Sequence, residues 1–235
     1  MDTQTRHALK QDKFVKAAAS SASWVGEHRA GVLRWVIGAI AVLAVVIGAF
    51  VFWNVRTAAA DLALGAALDV YNAPLAQPGE PSAPGLYTTA AARSKEANRE
   101  FVAVAHDYSW LPEASKAHYF AGVTYEELGQ NGPAETELKA AAGASDHNLA
   151  NLAKLALAGL YHQTNRDSEA VDLYNELVSK PSETVPASVA QLDLADLYAA
   201  QGKQDQARLL WAKVKDADKD GMAGSIATQK LSAKQ

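Results

Sequence analysis

The stretch from residue 122 to residue 138, GVTYEELGQNGPAETEL, decides how this chain folds, because its outline returns twice downstream. Residues 158–174 read AGLYHQTNRDSEAVDLY and residues 195–211 read ADLYAAQGKQDQARLLW, at successive offsets of 36 and 37. Each copy opens on a small residue (Gly122, Ala158, Ala195) and has a tyrosine three positions on (Tyr125, Tyr161, Tyr198). A turn former follows (Gly129, Asn165, Gly202), then an alanine (Ala134, Ala170, Ala207) and a large apolar residue (Leu138, Tyr174, Trp211). The spacing predicts paired helices. The small residue lets the two helices of a pair approach, the tyrosine fills the space above it, and Gly or Asn ends the first helix in a left-handed turn. Alanine in the second helix permits a close crossing, and each pair buries its open face only against its neighbours.

This pattern resembles the tetratricopeptide repeat. A degenerate copy precedes the three, because Ala97, Phe101 and Val104 stand 37 residues before Ala134, Leu138 and Ala141. Its first helix is displaced to residues 58–71, where Leu64, Leu68 and Tyr71 share a face. Between the two lies a loop, residues 74–85, holding four of the chain's eight prolines. Residues 222–231 would form a helix capping the apolar end of the array. Alanine and leucine dominate this part and no Asn-Gly or alternating hairpin signal occurs. The expected fold is all-α: one N-terminal transmembrane helix, about three and a half repeats, and a C-terminal capping helix.

The membrane expectation rests on residues 35–55, which run from Trp35 to Val55 without a charge. At about 1.5 Å per residue, such a run is roughly 32 Å long, matching a bilayer's hydrocarbon thickness. Trp35 and Arg34 flank one end and Phe50, Phe52, Trp53 and Arg56 the other, as headgroup-seeking aromatics and bases do. Ala58-Ala59-Ala60 resembles a signal-peptide cleavage site, but this run exceeds a signal's apolar core and follows 34 residues, so an uncleaved anchor is the reading. Six of the 22 Lys and Arg and three of the 26 Asp and Glu precede the run, so the formal charge of −4 combines a +3 tail with a −7 remainder. By the positive-inside rule the N-terminus is cytoplasmic. An acidic remainder excludes nucleic acid as a favoured partner. The chain has no cysteine, which excludes disulfides, thiolate metal sites and cysteine nucleophiles.

The domain organisation expected is a basic cytoplasmic tail (1–34), a transmembrane helix (35–55), a degenerate first repeat (56–111), three tetratricopeptide repeats (112–221), and a capping helix and tail (222–235). With that organisation, the chain resembles the ancillary SecYEG translocon subunit family, the YfgM-like inner-membrane proteins of bacteria. The stretch GKQDQARLLW, residues 202–211, is similar to that family's last-repeat hairpin, and Lys13-Phe14-Val15-Lys16 to its N-terminal helix. The proline-rich insert and the Ala-Ser-rich residues 17–23 depart from it. The resemblance implies a single-pass inner-membrane protein with a periplasmic repeat domain, found with the SecYEG translocon and a periplasmic chaperone.

Arrays of this type bind through the concave face lined by first helices, at positions 2, 5, 9 and 12 of each repeat. Here these are Lys116, Tyr119, Val123 and Glu126, then Leu152, Leu155, Gly159 and His162, then Val189, Leu192, Asp196 and Ala199. The bulky set Tyr119, Val123, Leu152, Leu155 and Leu192 suits an apolar polypeptide segment or a partner's helix. A register error of one residue, a rotation of about 100°, would make some of them core instead. A carboxylate clamp is excluded, since only Lys116 supplies the needed cation.

Asp216, Asp218, Asp220 and Gly221 resemble the first half of a calcium loop, but Ala227 stands where the bidentate Glu belongs, which leaves an acidic turn as the reading. The six histidines are scattered, and no metal, cofactor, phosphate-loop or nucleophile motif occurs, so no enzyme is expected. Gly38, Ala41, Ala44 and Gly48 form a small-residue face within the apolar run, open to close helix packing or simply part of an Ala-rich span. The functional expectation is a non-enzymatic, membrane-anchored scaffold or chaperone-like translocon subunit that binds protein partners. The alternative is a regulator whose cytoplasmic tail sequesters a soluble factor.

Overall fold

The computed structural model describes residues 29–77 and 85–233. The stretch Lys13-Phe14-Val15-Lys16, most of the basic tail, residues 78–84 of the proline-rich insert and residues 234–235 lie outside the described residues. The chain divides into two units, Met1–Val55 and Arg56–Gln235. The apolar run lies in helix α1, Arg29–Tyr71, which is long and apolar enough to cross a membrane. Its large side chains, Trp35, Ile40, Val45 and Phe50 among them, are exposed. The sequence suggests two elements here, a span ending at Val55 and a helix opening at Ala58, whereas the structure has one 43-residue helix. Arg56-Thr57-Ala58-Ala59-Ala60 contains no glycine or proline, and alanine is the best helix former, so nothing interrupts the backbone ladder.

The second unit is all-helical among the described residues. After the end of α1 come α2 (Ala90–Asp107), α3 (Pro112–Glu127), α4 (Asn131–Ala142), α5 (His147–Gln163), α6 (Asp167–Ser179), α7 (Ala187–Ala200), α8 (Gln204–Ala217) and α9 (Met222–Ser232). Local chemistry marks several starts. The Thr89 hydroxyl accepts from the Ala92 amide, the Asp146 carboxylate accepts from those of Asn148 and Leu149, and Pro112 occupies the first turn of α3.

The first helix of each repeat ends identically. Gly129, Asn165 and Gly202 have φ of 70°, 60° and 75°. The following amides, of Gln130, Arg166 and Lys203, donate to the carbonyls of Tyr125, Tyr161 and Tyr198 at 2.9, 2.7 and 2.9 Å. This is the Schellman closure, and it returns the chain antiparallel at the same point in all three copies.

The helix pairs α3/α4, α5/α6 and α7/α8 form the three repeats, and Ala134, Ala170 and Ala207 are completely buried at their crossings. At Gly122 the approach is tightest, since a Cβ there would lie 2.6 Å from Leu138 Cγ. The second and third repeats hold Ala158 and Ala195 at the same place, both buried. One core runs from Leu138 through Leu157, Tyr161, Tyr174 and Leu177 to Leu194 and Leu197, so α4 to α7 share it. The degenerate repeat has its own cluster, Leu64 and Ala67 against Ala97 and Phe101. Phe101 stacks on Phe120 at 5.1 Å, and Tyr71 lies edge-on to Phe101 and tilted against Phe120. The proline-rich insert is pinned at its ends, where the Ala76 amide donates to the Tyr87 carbonyl at 2.8 Å. At the other end, Ala223 and Ala227 of α9 close a cluster with Ala207, Trp211 and Val214. The capping helix and the repeat array therefore stand as expected.

Candidate protein-binding surface

The first helices α3, α5 and α7 carry the residues at positions 2, 5, 9 and 12 of each repeat. Their spacing puts these positions on one face of each helix. On α3, Tyr119 is half-buried with its ring edge-on to Phe120 at 5.2 Å. Burial, and then the Glu126 carboxylate, push its phenol pKa up. Val123, one turn on, is half-buried. On α5, Leu152 and Leu155 are partly buried, their inner sides packed on the central core. At Gly159 a Cβ would meet nothing within 4 Å, so the surface is open there.

Leu192 differs from the other four. It is buried with Ala195, Trp211 and the α9 alanines Ala223 and Ala227, so its side chain serves the junction with the cap. Sequence spacing alone misses this because the same position in the inner repeats faces no capping helix. Asp196, at position 9 of the third repeat, is likewise engaged: its carboxylate accepts from Trp211 Nε1 at 3.0 Å and Lys230 Nζ at 2.8 Å. The partly buried apolar residues left at these positions are thus Tyr119, Val123, Leu152 and Leu155.

Polar latches link successive repeats, and repeat spacing does not reveal them. Glu127 accepts from the Tyr71 hydroxyl at 2.8 Å and from Ser94 Oγ at 2.5 Å. Gln163 Nε2 donates to Glu126 at 2.5 Å. Asp167 pairs with His162 Nδ1 at 2.7 Å and accepts from Gln201 Nε2 at 2.8 Å, which together lower its carboxyl pKa. Glu135 binds Arg166 at 2.7 Å and Lys139 at 2.6 Å, and Arg166 lies 4.0 Å from the Tyr161 ring centroid. These charges hold the Glu135 carboxyl pKa down at about 2, Arg166 first. The visible signal in sequence is the recurrence of Gln or an acid near each first-helix end, which periodicity treats as ordinary surface.

The acidic turn also has a local use. Asp218 Oδ2 accepts from the Gly224 amide at 3.2 Å and so satisfies a first-turn amide of α9, whose N-cap is Gly221. In the first unit, Gly38, Ala41, Ala44 and Gly48 are exposed on α1, and a Cβ built at Gly38 or Gly48 meets nothing within 4 Å.

No protein-family profile matches the chain, and no curated protein is similar to it by sequence. By structure the chain is similar to nearly identical TPR-like repeats of a protein from Podosopora anserina described as a kinesin light chain, and to a variant of those repeats. Each superposes with a TM-score of 0.51 at 19% identity, over 60% of this chain and 76% of the other. Likeness at that identity shows the fold, a tetratricopeptide-like array.

Proposed function

We propose that this chain is a membrane-anchored, non-enzymatic scaffold whose repeats hold a polypeptide segment or a partner's helix along Tyr119, Val123, Leu152 and Leu155. The carrying observation is that these four apolar side chains are only partly buried on the first helices, beside open space at Gly159, in an array of a type that presents surfaces. Among the expectations on Leu192, the reading keeps it as the support of the row's far end. In this reading the uncharged run of α1 spans the membrane, with residues 1–34 cytoplasmic, the array on the opposite side, and small-residue contacts available at Gly38, Ala41, Ala44 and Gly48. Resemblance to the YfgM-like family supports a bacterial inner membrane, a periplasmic array, and the SecYEG translocon and a periplasmic chaperone as partners.

The test is affinity capture of the full chain from membranes in mild detergent, wild type against Tyr119→Glu/Leu155→Glu. Each substitution places a charge where an apolar contact must desolvate, so co-purifying proteins should be lost while helicity by circular dichroism is kept. Unchanged partners with unchanged helicity would move binding off this row. Loss of helicity would show that both side chains are core.

A further inference from the structure

We infer that the α2–α3 loop, which carries Trp110, seats in the headgroup layer of the membrane together with Arg56. This rests on the proposed reading that residues 35–55 span a bilayer. Arg56 follows directly on Val55, so in a spanning chain its guanidinium belongs to the headgroup layer. That same guanidinium holds the loop. Arg56 Nη2 donates to the Asp107 carbonyl at 3.2 Å, and Arg56 Cζ lies 5.0 Å from the Tyr108 ring centroid.

The loop is firmly built. Tyr108 terminates α2, the Leu111 amide donates to the Tyr108 carbonyl at 2.8 Å, and Leu111 and Ala105 are buried on either side. Trp110, unlike its neighbour Leu111, is 46% exposed. Its neighbours match the headgroup layer: Tyr108 is amphipathic, and exposed His106 and Asp107 bond each other at 2.9 Å rather than projecting alone. Tryptophan and tyrosine favour that layer because the ring is apolar and its N–H or O–H stays hydrated. Within reach of one arginine side chain, the loop shares Arg56's depth.

The absence of cysteine makes the test direct. The full chain carrying Ser109→Cys with a nitroxide label is reconstituted in vesicles of phosphatidylethanolamine and phosphatidylglycerol, and collisions with oxygen and with a water-soluble nickel chelate are compared. Labels at Ala44→Cys, inside the run, and Leu209→Cys, exposed on α8, serve as references. The Ser109 label should lose most of the nickel collisions that the Leu209 label retains, and Trp110→Glu should restore them. A Ser109 label as accessible to nickel as Leu209, with Ala44 shielded, overturns the seating alone and leaves a protein partner as the cover of Trp110. A nickel-accessible Ala44 overturns the spanning reading itself, and the seating with it. Shielding that persists in Trp110→Glu removes Trp110 as the anchor.

Discussion

Two glycines on first helices make opposite demands on the same substitution. A Cβ at Gly122 would lie 2.6 and 2.8 Å from Leu138 Cγ and Cδ2 and 3.2 Å from the Leu138 amide nitrogen, so the buried Leu138 side chain and the α4 backbone must both give. Overpacking of this kind costs about 1 to 3 kcal/mol, which outweighs the helix-propensity gain of about 1 kcal/mol. At Gly159 nothing opposes the Cβ and only the gain remains. Gly122→Ala should therefore lower the thermal midpoint of the full chain in detergent, and Gly159→Ala should raise it. Equal shifts would mean that α3 and α4 are not in close contact. Asp193 makes a second demand. Burial, and then the neighbouring Asp196, push its carboxyl pKa up to about 6. Because the folded pKa exceeds the ordinary value of about 3.9, ionisation opposes folding: the residue is harmless below about pH 4, and its penalty grows as pH rises through 6. Asp193→Asn should stabilise the protein by about 1 to 2 kcal/mol at pH 7.5 and by little at pH 4, after allowance for solvent screening. Denaturation at both pH values checks this, and an equal effect at both would refute it. Glu135 acts in the opposite window, lending stability that is lost as pH falls toward 2, so the variant must be compared with wild type at each pH.

The helix hairpins were readable from residue identity because their determinants are local. Gly129, Asn165 and Gly202 impose the left-handed turn, and Ala134, Ala170 and Ala207 permit the crossing, whatever lies further along the chain. Features set by a neighbouring element were not readable. Leu192 sits at a groove position by spacing, but α9 covers it. The continuation of the apolar run into the first repeat's helix is not legible because a charge such as Arg56 ends an apolar run without breaking a helix. The latches at Glu127, Glu135 and Asp167 depend on which side chains adjacent repeats bring within hydrogen-bond distance. The capping helix carries its own prediction. A chain ending at Gly221 lacks Ala223 and Ala227, which uncovers the apolar surface of Ala195, Trp211 and Val214. Such an end associates, so the truncated protein should melt lower and show concentration-dependent oligomers by light scattering. An unchanged midpoint and size would mean that α9 covers nothing.

The chain combines a helix long and apolar enough to cross a membrane with an array whose stability resides in packed repeats and whose first helices hold the partly buried row proposed to bind a partner. The row's partners, not the array's fold, then set its biological role, since repeat arrays of one architecture serve unrelated ligands. Photocrosslinking in living cells addresses the row directly, with a benzophenone amino acid placed at Gly159, where the surface is open, and at Leu209, exposed on α8, as reference. The scaffold reading predicts discrete protein adducts from Gly159 that are absent from Leu209 and weaken when Tyr119→Glu is added. No adducts at Gly159 beyond those at Leu209, in a protein that is inserted and folded, would contradict it.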